Sequence, residues 1–112
     1  MSGQAATHIV RILGVLPEIA DERERQDEKW GEQNHPGGTG PGYVPDTKRA
    51  RERCQRATRL GLVSCRDILE EEVYEAFAES DPDLLRAELV QVAAGTVAWI
   101  EKLDRERAAS NA

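Results

Sequence analysis

Carboxylate and amide side chains recur at helical spacing in the second half of the chain, beside apolar residues. Glu72 stands three residues after Leu69, and Glu75 follows one turn later. Glu88 and Gln91 repeat this spacing further along. Because residues three apart are neighbours on a helix surface, we expect two carboxylates on one helix to face a carboxylate and an amide on the next.

Such a cluster needs something to neutralise it. A buried, unpaired carboxylate is costly, and two carboxylates close together repel. Mg²⁺ and Mn²⁺ take oxygen ligands, and carboxylates on facing helices supply them. Iron is less favoured, because the Glu-x-x-His pattern of di-iron bundles is absent. In the alternative interpretation, the acids pair with arginines of the preceding helix or face solvent, as acidic runs such as 67–79 usually do.

Groups suited to a nucleotide occur in the first half of the chain. Arginine and lysine side chains there, Arg23 among them, could complement a phosphate chain. Trp30 and Tyr43 offer stacking faces for a nucleobase, although Trp30 equally suits an ordinary core position. His35 could contact a phosphate or a base. The residues predicted to bind substrate are Gln26, Lys29, Trp30, His35 and Arg53.

Proline and capping residues predict where the helices begin. Pro17 suits a first helical turn, Asp46 or Thr47 can cap a second helix, and Ser64 can cap a third. Asp81-Pro82 is a turn followed by a new start, and Gly61 ends the second helix. The predicted elements are an N-terminal segment at 1–15, helices at about 17–31, 48–60, 65–80 and 82–108, and a loop at 31–45.

The loop at 31–45 contains five glycines and three prolines in 15 residues, which excludes regular structure. A small domain seldom carries so long a loop without a use for it, and a mobile linker is the alternative. Residues 37–40, Gly-Gly-Thr-Gly, are not a phosphate-binding loop, because the Lys-Ser/Thr pair and the preceding strand are missing.

Apolar residues at helical spacing predict the core of each later helix. No segment alternates apolar and polar residues as a half-buried strand would, so the fold class is all-α. The predicted core residues are Ala50, Cys54, Ala57 and Gly61 in the second helix, Ile68, Leu69, Val73, Ala76 and Phe77 in the third, and Leu85, Leu89, Val92, Thr96, Trp99, Ile100 and Leu103 in the fourth.

Length and composition narrow the functional classes. The 112 residues suit a single domain, 1–112, and 15 Lys+Arg against 21 Asp+Glu give a net charge of −6. This acidity argues against polymeric nucleic acid and anionic membranes as partners. No apolar run approaches the roughly 18 residues of a membrane span. The sequence shows no export signal, so we expect a cytoplasmic protein in which Cys54 and Cys65 are reduced thiols.

Residues 69–75, Leu-Glu-Glu-Glu-Val-Tyr-Glu, followed by 85–91, Leu-Arg-Ala-Glu-Leu-Val-Gln, resemble the paired-helix motif of the MazG-like all-α nucleotide pyrophosphohydrolases. That motif is Glu-x-x-Glu on one helix and Glu-x-x-Asp on the next. Residues 25–31 and 33–36 are similar to the first helix and loop of small actinobacterial and phage-type members. The resemblance covers about 18–103.

The resemblance implies a four-helix bundle, completed by association into a homodimer or homotetramer. It also implies hydrolysis of nucleoside triphosphates between the α and β phosphates, with Mg²⁺ held by four acids. Carried over by position, Glu72, Glu75 and Glu88 are catalytic metal ligands, and Gln91 takes the place of the family's aspartate. An amide oxygen can bind Mg²⁺ but brings no charge, so we expect weaker binding of a second metal.

Two further functions are compatible with the sequence. The first is a nucleotide-binding or regulatory module that keeps the fold and has weak or no turnover, which the substitution at Gln91 suggests. The second is an interaction protein, a small helical bundle whose acidic face meets a basic partner. A thin core and a long loop also predict oligomerisation, because a shared helix face would add burial.

Overall fold

The computed structural model describes the backbone of residues 3–111 and the side chains of residues 8–111. This part of the chain contains four α-helices, one short 3-10 helix and no strand, which confirms the predicted all-α class. Residues 1 and 2 of the predicted N-terminal segment lie outside it. The helices are α1, Gly3–Trp30; the 3-10 helix, Pro41–Tyr43; α2, Val44–Arg59; α3, Cys65–Ala78; and α4, Pro82–Ser110.

The chain divides into two compact units. One comprises Met1–Pro36 with Val97–Ala112, and the other comprises Gly37–Thr96. Helix α4 contributes residues to both units. Chain length predicts a single domain and gives no sign of this division. The boundary near residue 96 falls inside α4, so no break in the sequence pattern marks it.

Helix α1 begins well before Pro17, so the predicted start near Pro17 is wrong, as is the predicted N-terminal segment for residues 3–15. Proline inside a helix removes one backbone hydrogen bond and crowds the preceding turn, at a cost of about 3 kcal/mol. Val15, two residues earlier, is only 4% exposed. Burial on the N-terminal side of the proline therefore favours a continuous helix over the local preference for a break.

Helix α2 begins at Val44, directly after the 3-10 helix, rather than near residue 48. Its N-cap is Tyr43, which has no side-chain capping bond, so neither Asp46 nor Thr47 caps the helix. The predicted loop is correspondingly shorter at its end. Pro45 lies in the first turn of α2, where its missing N–H costs no helical hydrogen bond.

The other predicted helix boundaries agree closely with the structure. Gly61 has a φ of +70° just beyond α2, and the amides of Gly61 and Leu62 donate to the carbonyls of Thr58 and Ala57. This is a Schellman termination, which requires the left-handed conformation that glycine adopts readily. Ser64 caps α3 in a reciprocal capping box with Asp67, as predicted.

Small side chains hold α2 against α3 in the unit Gly37–Thr96. Ala50 on α2 and Ala76 on α3 are each 1% exposed, and Cys54 is also buried, as predicted. Thr47 is buried with them. Its hydroxyl oxygen lies 2.7 Å from the Tyr43 carbonyl oxygen and 2.8 Å from the Tyr74 carbonyl oxygen, so its hydrogen is shared between the two acceptors. This hydroxyl links α2 to α3. The sequence around Thr47 does not indicate this role, because the contact depends on how the two helices pack.

The core is thin. Among the described side chains, no large one is fully buried. Phe77 contacts Tyr43 and Tyr74 through its ring but remains partly exposed. Val97 is buried although it was not predicted to be in the core. The predicted core positions Ile68, Phe77, Leu89 and Leu103 are 40 to 54% exposed, and Gly61 is exposed as well, so these five predictions are wrong for a single chain.

None of the helices within residues 3–111 combines the length and the apolar character needed to cross a membrane.

Candidate functional site

Acidic residues that α3 directs toward α2 are paired with arginines. The Arg53 Nε donates to a Glu70 carboxylate oxygen at 2.9 Å, and Arg66 donates to the other oxygen at 2.9 Å. Arg51 reaches Glu75 at 3.4 Å and Glu71 at 4.0 Å. Of the clustered acids, only Glu75 follows the alternative in which an arginine of the second helix pairs with it, and Glu70 and Glu71, which were not part of that prediction, are paired in the same way.

Glu72 and Glu88 are in a different situation. The Oε2 atom of each is shielded from solvent and has no hydrogen-bond partner. Glu72 lies against α4 at Gly95, where an added Cβ would be only 2.7 Å from Glu72 Oε2. A carboxylate oxygen without a partner is costly to bury, so these two oxygens are available to a cation.

Electrostatics connect the carboxylates of α3 with Glu88 of α4. Burial raises the pKa of Glu72, and the negative charges of Glu71 and Glu88 raise it further. Burial also raises the pKa of Glu75, where the hydrogen bond from Arg51 acts in the opposite direction and the charges of Glu71 and Glu88 add to the rise. Glu88 therefore repels both Glu72 and Glu75 in the absence of a cation.

Two carboxylates are the candidate oxygen donors for a divalent cation. In the chain as described, no group of three or more His, Cys, Asp or Glu side chains is arranged to hold a metal. Glu72 and Glu88 supply two partnerless oxygens, Glu75 is bonded to Arg51, and Gln91 is exposed on α4. Mg²⁺ is usually held by one or two carboxylates together with water and substrate phosphates, so Glu72 and Glu88 are the candidate ligands.

A cleft lies in the other unit, at the end of α1. Gln26, Trp30, Gln33 and His35 line it, and its volume is about 430 Å³. Trp30 is 66% exposed, so the alternative of an ordinary core residue is wrong. Of the predicted binding residues, Gln26, Trp30 and His35 are brought together here, and Gln33 also lines the cleft although it was not predicted.

Two cations orient groups of this cleft. Arg23 donates to Gln26 Oε1 at 2.8 Å, so the amide hydrogens of Gln26 are left to donate to a ligand. Arg23 also forms an ion pair with Asp27 at 2.9 Å, and this pair balances the positive charge of Arg23. The Lys29 ammonium lies 4.8 Å from the centroid of the Trp30 ring, a cation–π contact.

Arg53 and Tyr43 are not in this cleft. Arg53 is engaged by Glu70, and Tyr43 packs against Phe77 with ring centroids 5.3 Å apart. The sequence could not distinguish a phosphate-binding arginine from one that pairs with an acid of a neighbouring helix, because both belong to the same basic helix surface.

The chain was compared with models of known protein families, with curated proteins and with solved structures, and none of the three comparisons finds a match. The class defined by the structure is thus an all-α protein with a carboxylate pair at α3 and α4.

Proposed function

We propose that the protein hydrolyses nucleoside triphosphates or deoxynucleoside triphosphates to the monophosphate and pyrophosphate, with Mg²⁺ or Mn²⁺ as cofactor. The observation that carries the proposal is the pair of solvent-shielded, partnerless oxygens on Glu72 and Glu88. A bound divalent cation would offset the cost of burying them, and no cationic side chain is bonded to these atoms within the described chain.

In this mechanism Glu72 and Glu88 would hold the cation, and Glu75 acts as the base. When bound, the metal neutralises the triphosphate and lowers the pKa of water near it. Glu75 has a raised pKa, which makes it a stronger proton acceptor, and Arg51 holds it through Oε1. Water attacks the α-phosphorus, its proton passes to Glu75, and the bond to the bridging oxygen breaks to release pyrophosphate.

Independently of the carboxylate pair, the cleft at Trp30 is proposed to bind a nucleobase. The exposed indole face offers a stacking surface, and such stacking contributes about 1–3 kcal/mol per base. Because Gln26 accepts from Arg23, it presents donors to a carbonyl oxygen of the base. Unphosphorylated nucleosides should quench the fluorescence of Trp30. The matched variants are Trp30→Phe, which should lose the response, and Trp99→Phe, which should keep it.

The direct test is a panel of nucleoside and deoxynucleoside triphosphates, incubated with Mg²⁺ or Mn²⁺ and analysed by chromatography. We expect monophosphate and pyrophosphate that disappear when EDTA is added. Diphosphate and orthophosphate would show cleavage at the other bond and overturn the proposed reaction. No product from any nucleotide would reject the enzymatic function.

We also propose that the chain works as a homodimer or homotetramer. Apolar side chains on α1 at positions 9, 13 and 16, which share one helix face, are 41 to 56% exposed. Burial of apolar surface contributes about 25 cal/mol per Å², so covering this face with a second copy is favourable. Light scattering at micromolar concentration should give at least twice the chain mass. A monomeric mass would contradict the proposal.

A second candidate function is a nucleotide-binding module without turnover. It is favoured by Gln91, an exposed amide where the resembling family has an acid, and by the lack of a three-carboxylate group in the described residues. A nucleotide that binds the folded state raises the thermal midpoint. A nucleotide-dependent rise without any product would support this function over hydrolysis.

A further inference from the structure

Gly95 lies in the interior of α4, where glycine is unfavourable. Glycine in a helix interior is less stable than alanine, because the unfolded chain loses more conformational freedom on folding. The backbone of Gly95 has no positive φ that would require glycine. The reason for glycine at this position must therefore lie in what surrounds its missing side chain.

The three atoms nearest to the position of a Cβ at Gly95 all belong to the carboxylate of Glu72. A Cβ at this position would lie 2.7 Å from Glu72 Oε2 and 3.6 Å from Glu72 Cδ. Gly14, which lies inside α1, provides the contrast, because a Cβ there would have nothing within 4 Å. Of these two helical glycines, only Gly95 makes room for a functional group.

We infer that Gly95 is a positioning residue for Glu72, and that its missing side chain allows the Glu72 carboxylate to lie against α4 beside Glu88. The inference rests on the proposed metal site. A methyl group at position 95 would displace Oε2. Because a carboxylate is the end of a flexible side chain, it would rotate away at little cost to folding. The oxygen would then leave its position beside Glu88, and the cation would lose a ligand.

The test is Mn²⁺ binding to the purified full chain, measured from the electron paramagnetic resonance signal of free Mn²⁺. Gly95→Ala should weaken Mn²⁺ binding by about tenfold, a typical effect for residues that orient metal ligands. Gly14→Ala should leave the affinity unchanged. Without metal, neither variant should have a lower thermal midpoint than the original chain, because alanine is the better helix former.

A second background separates positioning from a general effect on α4. Glu72→Asp shortens the side chain by one methylene and withdraws the carboxylate from position 95. In that background Gly95→Ala should change Mn²⁺ affinity by less than about twofold, since contacting residues are energetically coupled. A full tenfold loss in both backgrounds would overturn the positioning role.

The remaining outcomes are also decisive. If the original chain binds Mn²⁺ and Gly95→Ala binds it equally well, the inference about Gly95 fails and the metal site stands. If Gly14→Ala weakens binding as much as Gly95→Ala does, the effect belongs to helix stability and the inference fails. If the original chain binds no Mn²⁺, the metal site itself is refuted, and Gly95 has no ligand to position.

Discussion

Two faces of helix α3 carry the same residue type in opposite electrostatic situations. Toward α2, the carboxylates of Glu70, Glu71 and Glu75 each lie within 4.0 Å of an arginine nitrogen. Toward α4, the buried Oε2 of Glu72 has no partner and lies against the backbone at Gly95. Consecutive residues of one helix thus differ in what neutralises them.

The difference comes from the helices that α3 packs against. The basic surface of α2 supplies guanidinium groups, and exposed pairs of this kind satisfy charge without adding much stability. The part of α4 beside Glu72 supplies Glu88, a second negative charge, and a glycine. The carboxylates on the α2 side of α3 have arginine partners within the chain, whereas the Oε2 atom of Glu72 has none, and under the proposed function a cation would supply its partner.

Removing one carboxylate at a time tests whether the two faces of α3 differ in function. Glu72→Gln or Glu88→Gln should reduce nucleotide hydrolysis by more than about a hundredfold, beyond the range seen for residues that only orient metal ligands. The helical circular dichroism spectrum should be unchanged, because an amide relieves repulsion without changing shape. The measurement is the rate of pyrophosphate release.

The side of α3 that carries Glu70, Glu71 and Glu75 is called the paired face. The matched control is Glu70→Gln, which removes one carboxylate from this face. It should keep the original rate within about twofold, since Glu70 is engaged by arginines rather than by substrate. Equal losses in Glu70→Gln and Glu72→Gln would show that the unpaired face has no special role. Original rates in Glu72→Gln and Glu88→Gln would place the site elsewhere.

The next effect concerns what holds the paired face together. Thr47→Val keeps the shape of the side chain and removes the hydroxyl that links α2 to the Tyr74 carbonyl. Because the variant loses this hydrogen bond between the helices, we expect a loss of about 0.5–1.5 kcal/mol in the free energy of unfolding. Urea unfolding followed by circular dichroism gives this value.

Thr58→Val is the control for Thr47→Val. Its hydroxyl donates only to the Cys54 carbonyl one turn earlier in the same helix, at 2.8 Å. We expect a change within about 0.5 kcal/mol, as for most surface substitutions. If the two variants lose equal stability, the link between α2 and α3 does not depend on Thr47.

The helices could be predicted from sequence where local chemistry decides their ends. Ser64 with Asp67, and Gly61, mark boundaries through hydrogen bonds that form within a few residues. Pro17 misled the prediction, because a local preference for a break was overcome in a 28-residue helix. The exposed positions on α4, Leu89 among them, follow a core period that a single chain does not cover.

The candidate site was predictable only in part. Spacing placed Glu72, Glu75 and Glu88 near one another, and the electrostatic effect of Glu88 on the other two agrees with this. Spacing could not show that Glu75 is bonded to Arg51, because that depends on how α2 packs on α3. Gly95 was missed for the same reason, since its role depends on a residue of another helix.

A smaller effect is expected in the pH dependence of stability without metal. The folded-state pKa of Glu72 is raised above its ordinary value of 4.5, so the folded protein binds more protons than the unfolded chain between these two values. Stability from this group is full below pH 4.5 and is lost as the pH rises through the folded-state pKa. The free energy of unfolding should therefore fall above pH 4.5.

Two changes should flatten this slope. Glu72→Gln removes one of the two carboxyl groups whose pKa is raised, the other being Glu75, and Mg²⁺ would neutralise the charge of Glu72, so either should reduce the loss of stability above pH 4.5. Glu70→Gln should retain the original slope. Urea titrations at several pH values up to 7 provide the measurement. A slope that is equally steep in Glu72→Gln would show that the buried oxygens do not destabilise the metal-free protein.

The smallest expected effect is on the ion pairs of the paired face. A double-mutant cycle of Arg53→Ala and Glu70→Ala should give a coupling of less than about 1 kcal/mol in the free energy of unfolding. The Arg53 side chain is 53% exposed, and Arg66 still reaches Glu70 when Arg53 is removed. Added salt should reduce the coupling further, because exposed charges are screened. A coupling above about 2 kcal/mol would mean that these charges are effectively desolvated. The paired face would then owe its stability to arginine rather than to Thr47 and the small residues between the helices.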